Sequence, residues 1–426
     1  MFGLLAFDKT PPFAAPLRFF LTAPLFLALA GLLLLVEGGD LFASRWMPGT
    51  LAATHLITVG FMLMTMFGAL IQILPVVAGA NVARPGLVAA VVHAGLGAGT
   101  LALSAAFVFG MPPLFIVATV LLAGAAVVFL AAAGWALWPV PSTSPTIGGL
   151  KLSLFGALGV VFLGGWLALG LARGWSLPLI DMVNLHAAWG FAAWGGALLA
   201  AVSYVVVPMF QLTPPYRTRL SWWLPRLLLA ICLLWALAVV GETGWGARLA
   251  EAALALLGGA FAWVTLHLQR QRRRARVDAP TLYWRWGLVF ALLALAMSLA
   301  ASAVPAWAEW SGWAPLFGIL LAFGGFVSLI AGMLYRIVPF LAWMHLQPGG
   351  VTPSIGKILP EPSMRPQMWL HFCTVGLLAA ACWLPDWLAR PAGLALLLDG
   401  LWLFANLLTA TRAYYACLRE RREAAA

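Results

Sequence analysis

Charge is scarce in this 426-residue sequence: 9% of residues are Asp, Glu, Lys or Arg, where a soluble globular domain carries about a quarter. So few polar groups cannot cover a water-facing surface, which excludes a soluble enzyme. The net charge of +11 therefore does not point to nucleic acid. Cysteine is also rare. Cys232, Cys373, Cys382 and Cys417 form no Cys-x-x-Cys pair, which argues against a disulfide framework or a thiolate zinc site. The apolar runs lack alternation of period two, which argues against a membrane β-barrel. No HExxH, paired-carboxylate or nucleotide-loop motif occurs. Gly95, Gly97 and Gly99 alternate along an apolar run, where they suit tight helix contact. No small-residue cleavage site follows Leu35, only Glu37, Gly38, Gly39 and Asp40, so the first run reads as a retained helix.

What the sequence has is apolar length. Hydrophobic residues make up 63% of it, in stretches of about 20, enough to cross a hydrocarbon core roughly 30 Å thick. Backbone groups there must be paired within the segment, so the spans are helices. The fold class is all-α: a polytopic membrane bundle of about twelve helices, near 17–36, 50–74, 86–110, 113–138, 150–172, 182–208, 220–241, 247–268, 282–305, 314–339, 368–385 and 390–412. The longest connection, 340–367, carries Pro348, Gly349, Gly350, Pro353, Pro360 and Pro362. Residues 1–426 read as a single membrane domain whose partner is the lipid bilayer.

Lys and Arg set the expected orientation. With the N-terminus inside, only Arg45, Arg173, Arg248 and Arg390 face outward, and the rest of the 24 fall inside. This bias predicts both termini in the cytoplasm. The tract Arg270, Arg272, Arg273, Arg274 and Arg276 is its strongest inner anchor, in reach of anionic lipid.

The second, sixth and tenth spans end alike. Gly68 precedes Pro75, Ala201 precedes Pro208 and Gly332 precedes Pro339, each by two turns, at intervals of four spans. The pattern predicts three four-helix pseudo-repeats, near 1–140, 141–277 and 278–426. Each proline sits where a helix would end, and each small residue where helices would touch.

Ionisable residues within spans are costly and so suggest function. His55 and His186 fall in the outer part of the second and sixth spans, at near-equivalent repeat positions. A neutral imidazole is a ligand for haem iron or copper, or is simply satisfied by a neighbouring helix. Met62 and Met66, below His55, are candidate thioether ligands, or packing. Asp399 of the twelfth span falls at the expected depth of His55, where it would orient that imidazole or accept a proton. His93 sits among glycines. His371 repeats the local pattern of His55, His-x-x-Thr-Val-Gly, but is expected near the cytoplasmic face. Tyr204 and Tyr335 share a repeat position, and Arg336 falls near the inner end of its span.

Twelve spans, both termini inside, three four-helix units and histidines on the second and sixth spans resemble the catalytic subunit of the haem-copper oxidases. The phrase from His55 to Gly60, followed by Gly68, also resembles NnrS-type membrane proteins linked to nitric oxide stress. The resemblance implies that His55 matches a low-spin haem ligand and His186 a copper ligand. It departs in several places: no histidine occurs between Trp222 and Val240, none between Pro315 and Pro339, Gly190 stands where the oxidase family has tyrosine, and the NnrS-type paired histidine of the second span and His-Thr-Gly-Arg ending are missing. A complete gas-reducing centre is therefore not expected, and enzymatic activity is not the leading reading. The expectation is a degenerate relative in a bacterial inner membrane. It would bind haem or copper around His55, His186 and Asp399, and would be linked to respiration, the nitric oxide response or respiratory partner proteins. The alternatives are a transporter of a metal ion or small solute, or a ligand-free scaffold for other membrane proteins.

Overall fold

The structure, a computed structural model, describes residues 10–273, 276–347 and 352–425. Arg274, Pro348, Gly349 and Gly350 lie outside the described residues. Eleven helices among the described residues are long and apolar enough to cross a membrane. We number them with one further long helix: α1 (Ala14–Glu37), α2 (Pro48–Ala78), α3 (Pro85–Phe109), α4 (Pro112–Leu137), α5 (Pro145–Arg173), α6 (Leu179–Gln211), α7 (Thr218–Val240), α8 (Gly244–Arg270), α9 (Ala279–Ala303), α10 (Trp313–Leu346), α11 (Glu361–Ala381) and α12 (Pro385–Ala425).

The extra helix, α11, is less apolar because it carries Glu361, Arg365, Gln367 and His371. It nevertheless runs between the two faces of the bundle. At the start of α12, Gly38 and Gly39 beyond α1 approach Arg390 and Asp386. Near its other end, the Arg421 guanidinium donates to the Leu346 carbonyl at 2.7 Å. The chain therefore leaves α10 on one face and enters α12 on the other, and α11 makes the crossing. We call the face that holds the end of α10 and most Lys and Arg residues the arginine-rich face.

Local chemistry explains many of the helix ends. Proline occupies the first turn of α2, α3, α4, α5, α9 and α11, where its missing N–H costs nothing. Ser144 and Asp278 cap α5 and α9 by accepting from the backbone of Ile147 and Thr281. Gly79, Gly110 and Gly174 follow α2, α3 and α5 with positive φ, the left-handed stop that glycine makes without strain. Side chains facing away from the bundle are Leu, Val, Phe and Trp. Trp138, Trp175, Trp245, Trp383 and Trp387 lie exposed near helix ends, as in the aromatic belts of a bilayer interface.

α2 and α10 are the most buried helices, while α3, α4, α5, α7, α8 and α9 turn most of their surface outward. The three helices that carry the repeated motif, α2, α6 and α10, share an unusual geometry. Each is interrupted by a π-helical segment: Leu56–Leu63 in α2, Trp189–Gly196 in α6 and Ile319–Val327 in α10. Their prolines do not end them, contrary to expectation. α2, α6 and α10 run on to Ala78, Gln211 and Leu346 past Pro75, Pro208 and Pro339. Tertiary packing on all sides outweighs the one missing backbone hydrogen bond.

The small residue of each motif marks the contact with the preceding helix. A Cβ at Gly68 would lie 2.7 Å from Phe19 of α1, and one at Gly332 would lie 2.8 Å from Tyr283 of α9. Ala201 faces Gly149 of α5 in the same way. Neighbouring helices pack all round the molecule, and α1 closes the ring against α12. That closure is backbone to backbone. Cβ atoms at Gly31, Gly393 or Gly400 would meet main-chain atoms of the facing helix at 2.3–2.6 Å.

Candidate functional site

His55 is the last α-helical residue before the π segment of α2. Its Nδ1 lies 2.7 Å from the Leu51 carbonyl oxygen. A carbonyl only accepts, so Nδ1 carries the proton and the lone pair of the neutral ring is on Nε2. The ring stacks on Phe107 of α3 with centroids 5.4 Å apart. His186 enters from α6, one turn before its own π segment. Gly164 of α5 makes room for it: a Cβ there would lie 2.9 Å from the His186 Cε1. The His186 Nδ1 is buried and makes no hydrogen bond of good geometry, although the ring lies in reach of the Val160 backbone of α5. The two imidazoles are close enough to interact electrostatically. The repeat thus places His55 and His186 in comparable positions, each within one turn of the π segment of its own helix.

The surroundings of the pair are polar only toward the outer edge. Arg45, in the loop between α1 and α2, donates to the Asn184 side chain at 2.8 Å, two residues before His186. Burial lowers the Arg45 pKa from its ordinary value, and Glu251 of α8 opposes that shift. No group of three His, Cys, Asp or Glu side chains suited to a metal forms among the described residues. Met62 and Met66 lie two and three turns further along α2, buried in the main apolar core.

Haem would need a flat slot beside His55. Phe107 covers one face of the imidazole. One turn on, Phe26 is packed so closely that a Cβ at Gly60 would lie 2.4 Å from its ring. Further in, Phe67 stacks on Phe129 at 3.8 Å and meets Trp194 edge-on. This packing does not fit a macrocycle. A single metal ion would ask for less space, a few ring nitrogens, and the His55 Nε2 is the one that its tautomer leaves with a lone pair.

Asp399 is not at this site. It is 1% exposed and lies with His371, which is equally buried. The His371 Nδ1 is 2.8 Å from the Asp399 Oδ2, and its Nε2 is 2.8 Å from the Ser328 hydroxyl. Gln367 donates to the other Asp399 oxygen at 2.7 Å. The Gln367 carbonyl oxygen accepts from Tyr283 at 2.6 Å and from Tyr335 at 2.8 Å. Asn406 donates to the Tyr335 hydroxyl at 2.7 Å and to the Ser363 carbonyl at 3.0 Å. Four helices, α9 to α12, thus enclose one continuous polar network.

Both expected depths were wrong, for the same reason. α11 begins at Glu361 and not near 368: Pro362 falls in its first turn, where proline is tolerated, and the helix continues through Pro366. His371 is consequently ~15 Å along the helix, far from its end. α12 begins at Pro385 and not near 390, which places Asp399 ~21 Å from the face opposite the arginine-rich one, level with His371. Gln367, Tyr283 and Ser328 did not stand out in the sequence, since neutral polar residues occur singly in many spans. The signal that could have found the site was the pair of ionisable residues His371 and Asp399 on consecutive helices. Of the other candidates, His93 bonds the Thr22 hydroxyl at 2.8 Å, and Arg336 pairs with Asp278 at 2.6 Å.

No family model matches the chain, and neither does any curated protein.

Proposed function

We propose that this integral membrane protein holds a copper ion between His55 and His186, near its outer face. The observation that carries the reading is the approach of two imidazoles from two like helices. One has its tautomer set so that Nε2 keeps its lone pair, and the other has a buried Nδ1 with no well-formed hydrogen bond, only the Val160 backbone in reach of its ring. Copper(I) accepts a small set of imidazole donors. When bound, it would supply electron transfer or binding of a small gas molecule. The protein's part is to hold the two rings. The Leu51 carbonyl orients His55, Phe107 limits the tilt of its ring, and Gly164 leaves space for His186.

The same reading takes the chain as three four-helix units, α1–α4, α5–α8 and α9–α12. Three π segments, three prolines and three small-residue contacts support it. The arginine-rich face is then cytoplasmic by the charge rule. The role is that of a degenerate relative of the haem-copper oxidase subunit or of NnrS-type proteins, in a bacterial inner membrane. It would serve respiration or the nitric oxide response by binding, not by reduction.

Titration of the purified chain with copper(I) against a competing chelator tests the assignment. Equimolar binding is expected, lost in His55→Ala and in His186→Ala while thermal unfolding stays cooperative. Unchanged affinity in both variants would exclude the site.

A further inference from the structure

The network around Asp399 has a different character from the imidazole pair. It is fully buried and every side chain in it has a partner. The buried polar groups of the first four helices are the neutral side chains Thr65, Gln72, Thr100 and Ser104, beside the stack of Phe67 on Phe129. In the second set, Leu224, Leu228, Phe261 and Ala262 are among the buried residues of the core. The architecture therefore does not require a carboxyl and an imidazole at this depth.

The charge balance decides how many protons the pair carries. Asp399 ionised beside a neutral His371 would leave a net negative charge inside the bilayer, with no Lys or Arg among the network's hydrogen-bond partners. Such a charge is costly. One additional proton removes it, whether the result is a carboxylate with imidazolium or a carboxylic acid with neutral imidazole. The titratable groups facing the pair from the other helices are Tyr283 of α9 and Tyr335 of α10. Both give their hydroxyl protons to Gln367.

Ser328 makes the gain and loss of that proton feasible. With the proton present, His371 carries hydrogen on Nε2 and donates to the Ser328 oxygen. With it absent, Nδ1–H donates to Asp399, and Nε2 accepts from the Ser328 hydroxyl, which has rotated. A hydroxyl is donor and acceptor alike, so neither state breaks a hydrogen bond. The route outward leads along Gln367, Tyr335 and Asn406 to Ser363, in the first turn of α11 at the arginine-rich face. Primary amides bind protons too weakly to relay them readily. Gln367 and Asn406 therefore act as a barrier that must swing aside.

We propose that His371 and Asp399 form a membrane-buried site that binds a single proton, exchanged only with the arginine-rich face through a gate made by Gln367 and Asn406. The step is a simple association, in which a proton from water adds to the carboxylate–imidazole pair. No other reactant takes part, and the site is independent of any metal at His55.

The test uses the full chain in lipid nanodiscs at neutral pH, with nitrogen-15 histidine and infrared spectroscopy of the carboxyl band. The expected result is one bound proton. Either both ring nitrogens of His371 are protonated with Asp399 ionised, or His371 is the Nε2–H tautomer with a protonated Asp399 band that disappears in Asp399→Asn. An Nδ1–H tautomer beside an ionised Asp399 would overturn the proposal. Removing the two Asn406 hydrogen bonds should speed deuterium exchange of the bound proton about tenfold in Asn406→Ala. An unchanged rate in a folded variant would overturn the gate.

Discussion

At the scale of single residues, the most buried polar groups are held by counted partners, and the count predicts the cost of losing one. Gln367 satisfies two tyrosine hydroxyls and one oxygen of Asp399. Gln367→Leu strands all three, and each unsatisfied buried group costs about 1–3 kcal/mol. We expect a loss of about 3 kcal/mol or more in reversible unfolding from detergent, and a loss under about 1 kcal/mol would contradict the network. Asp278 offers a second prediction. Burial acts to raise its pKa, but Arg336 and the Thr281 hydroxyl and amide outweigh that and leave it below the ordinary value. A depressed carboxyl stabilises the fold at neutral pH, and that contribution is lost as pH falls through the folded pKa. Arg336→Ala should shift this acid loss to higher pH in thermal-unfolding curves, whereas coincident curves would dismiss the pair as a contributor. His55 and His186 were legible as a pair from their place on like spans. The partner of Asp399 was not, because a shift of a few residues in two helix starts moved both groups by several ångströms.

At the scale of helices, apolar length was enough to find the spans, and the recurring small residue and proline were enough to single out α2, α6 and α10. The π segments were hidden, since a widened turn carries no distinct composition. The start of α11 was hidden for another reason. Its first turns hold Glu361, Arg365 and Gln367, polar residues that serve the interior network and the arginine-rich face, so hydropathy alone began the helix too late. The α1–α12 contact gives a prediction at this scale. A Cβ at Gly400 would meet the Ala28 nitrogen at 2.6 Å, whereas Gly97 of α3 has open space. Gly400→Val should cost about 1–3 kcal/mol by overpacking and broaden the unfolding transition. Gly97→Ala should change stability little. Equal stability of the two variants would mean that the ring closure tolerates separation.

At the scale of the whole molecule, the twelve long helices of the described residues form a ring in which α2, α6 and α10 are set apart by their π segments, and the two candidate sites lie in different parts of it. His55 lies against Phe107 of α3 and His186 against Gly164 of α5. The proton site lies within the last four helices. This layout requires both termini on the same side. Reporter fusions at the C-terminus and at the α7–α8 turn should report opposite sides of the membrane, and a common side would contradict the helix count. Charge bias along the sequence was sufficient to propose that sidedness, because most Lys and Arg residues lie in or beside the loops of one side. The chemistry within the ring was not legible in the same way, since it depends on which faces of distant helices meet.

The most direct test of the central claim is the metal and pigment content of the protein as purified from cells supplied with copper and haem, with iron and copper quantified on the sample used for the visible spectrum. The account predicts near-equimolar copper, no Soret band, and loss of the copper in His55→Ala and His186→Ala. Equimolar iron with a Soret band, or protein free of both metals, would contradict it.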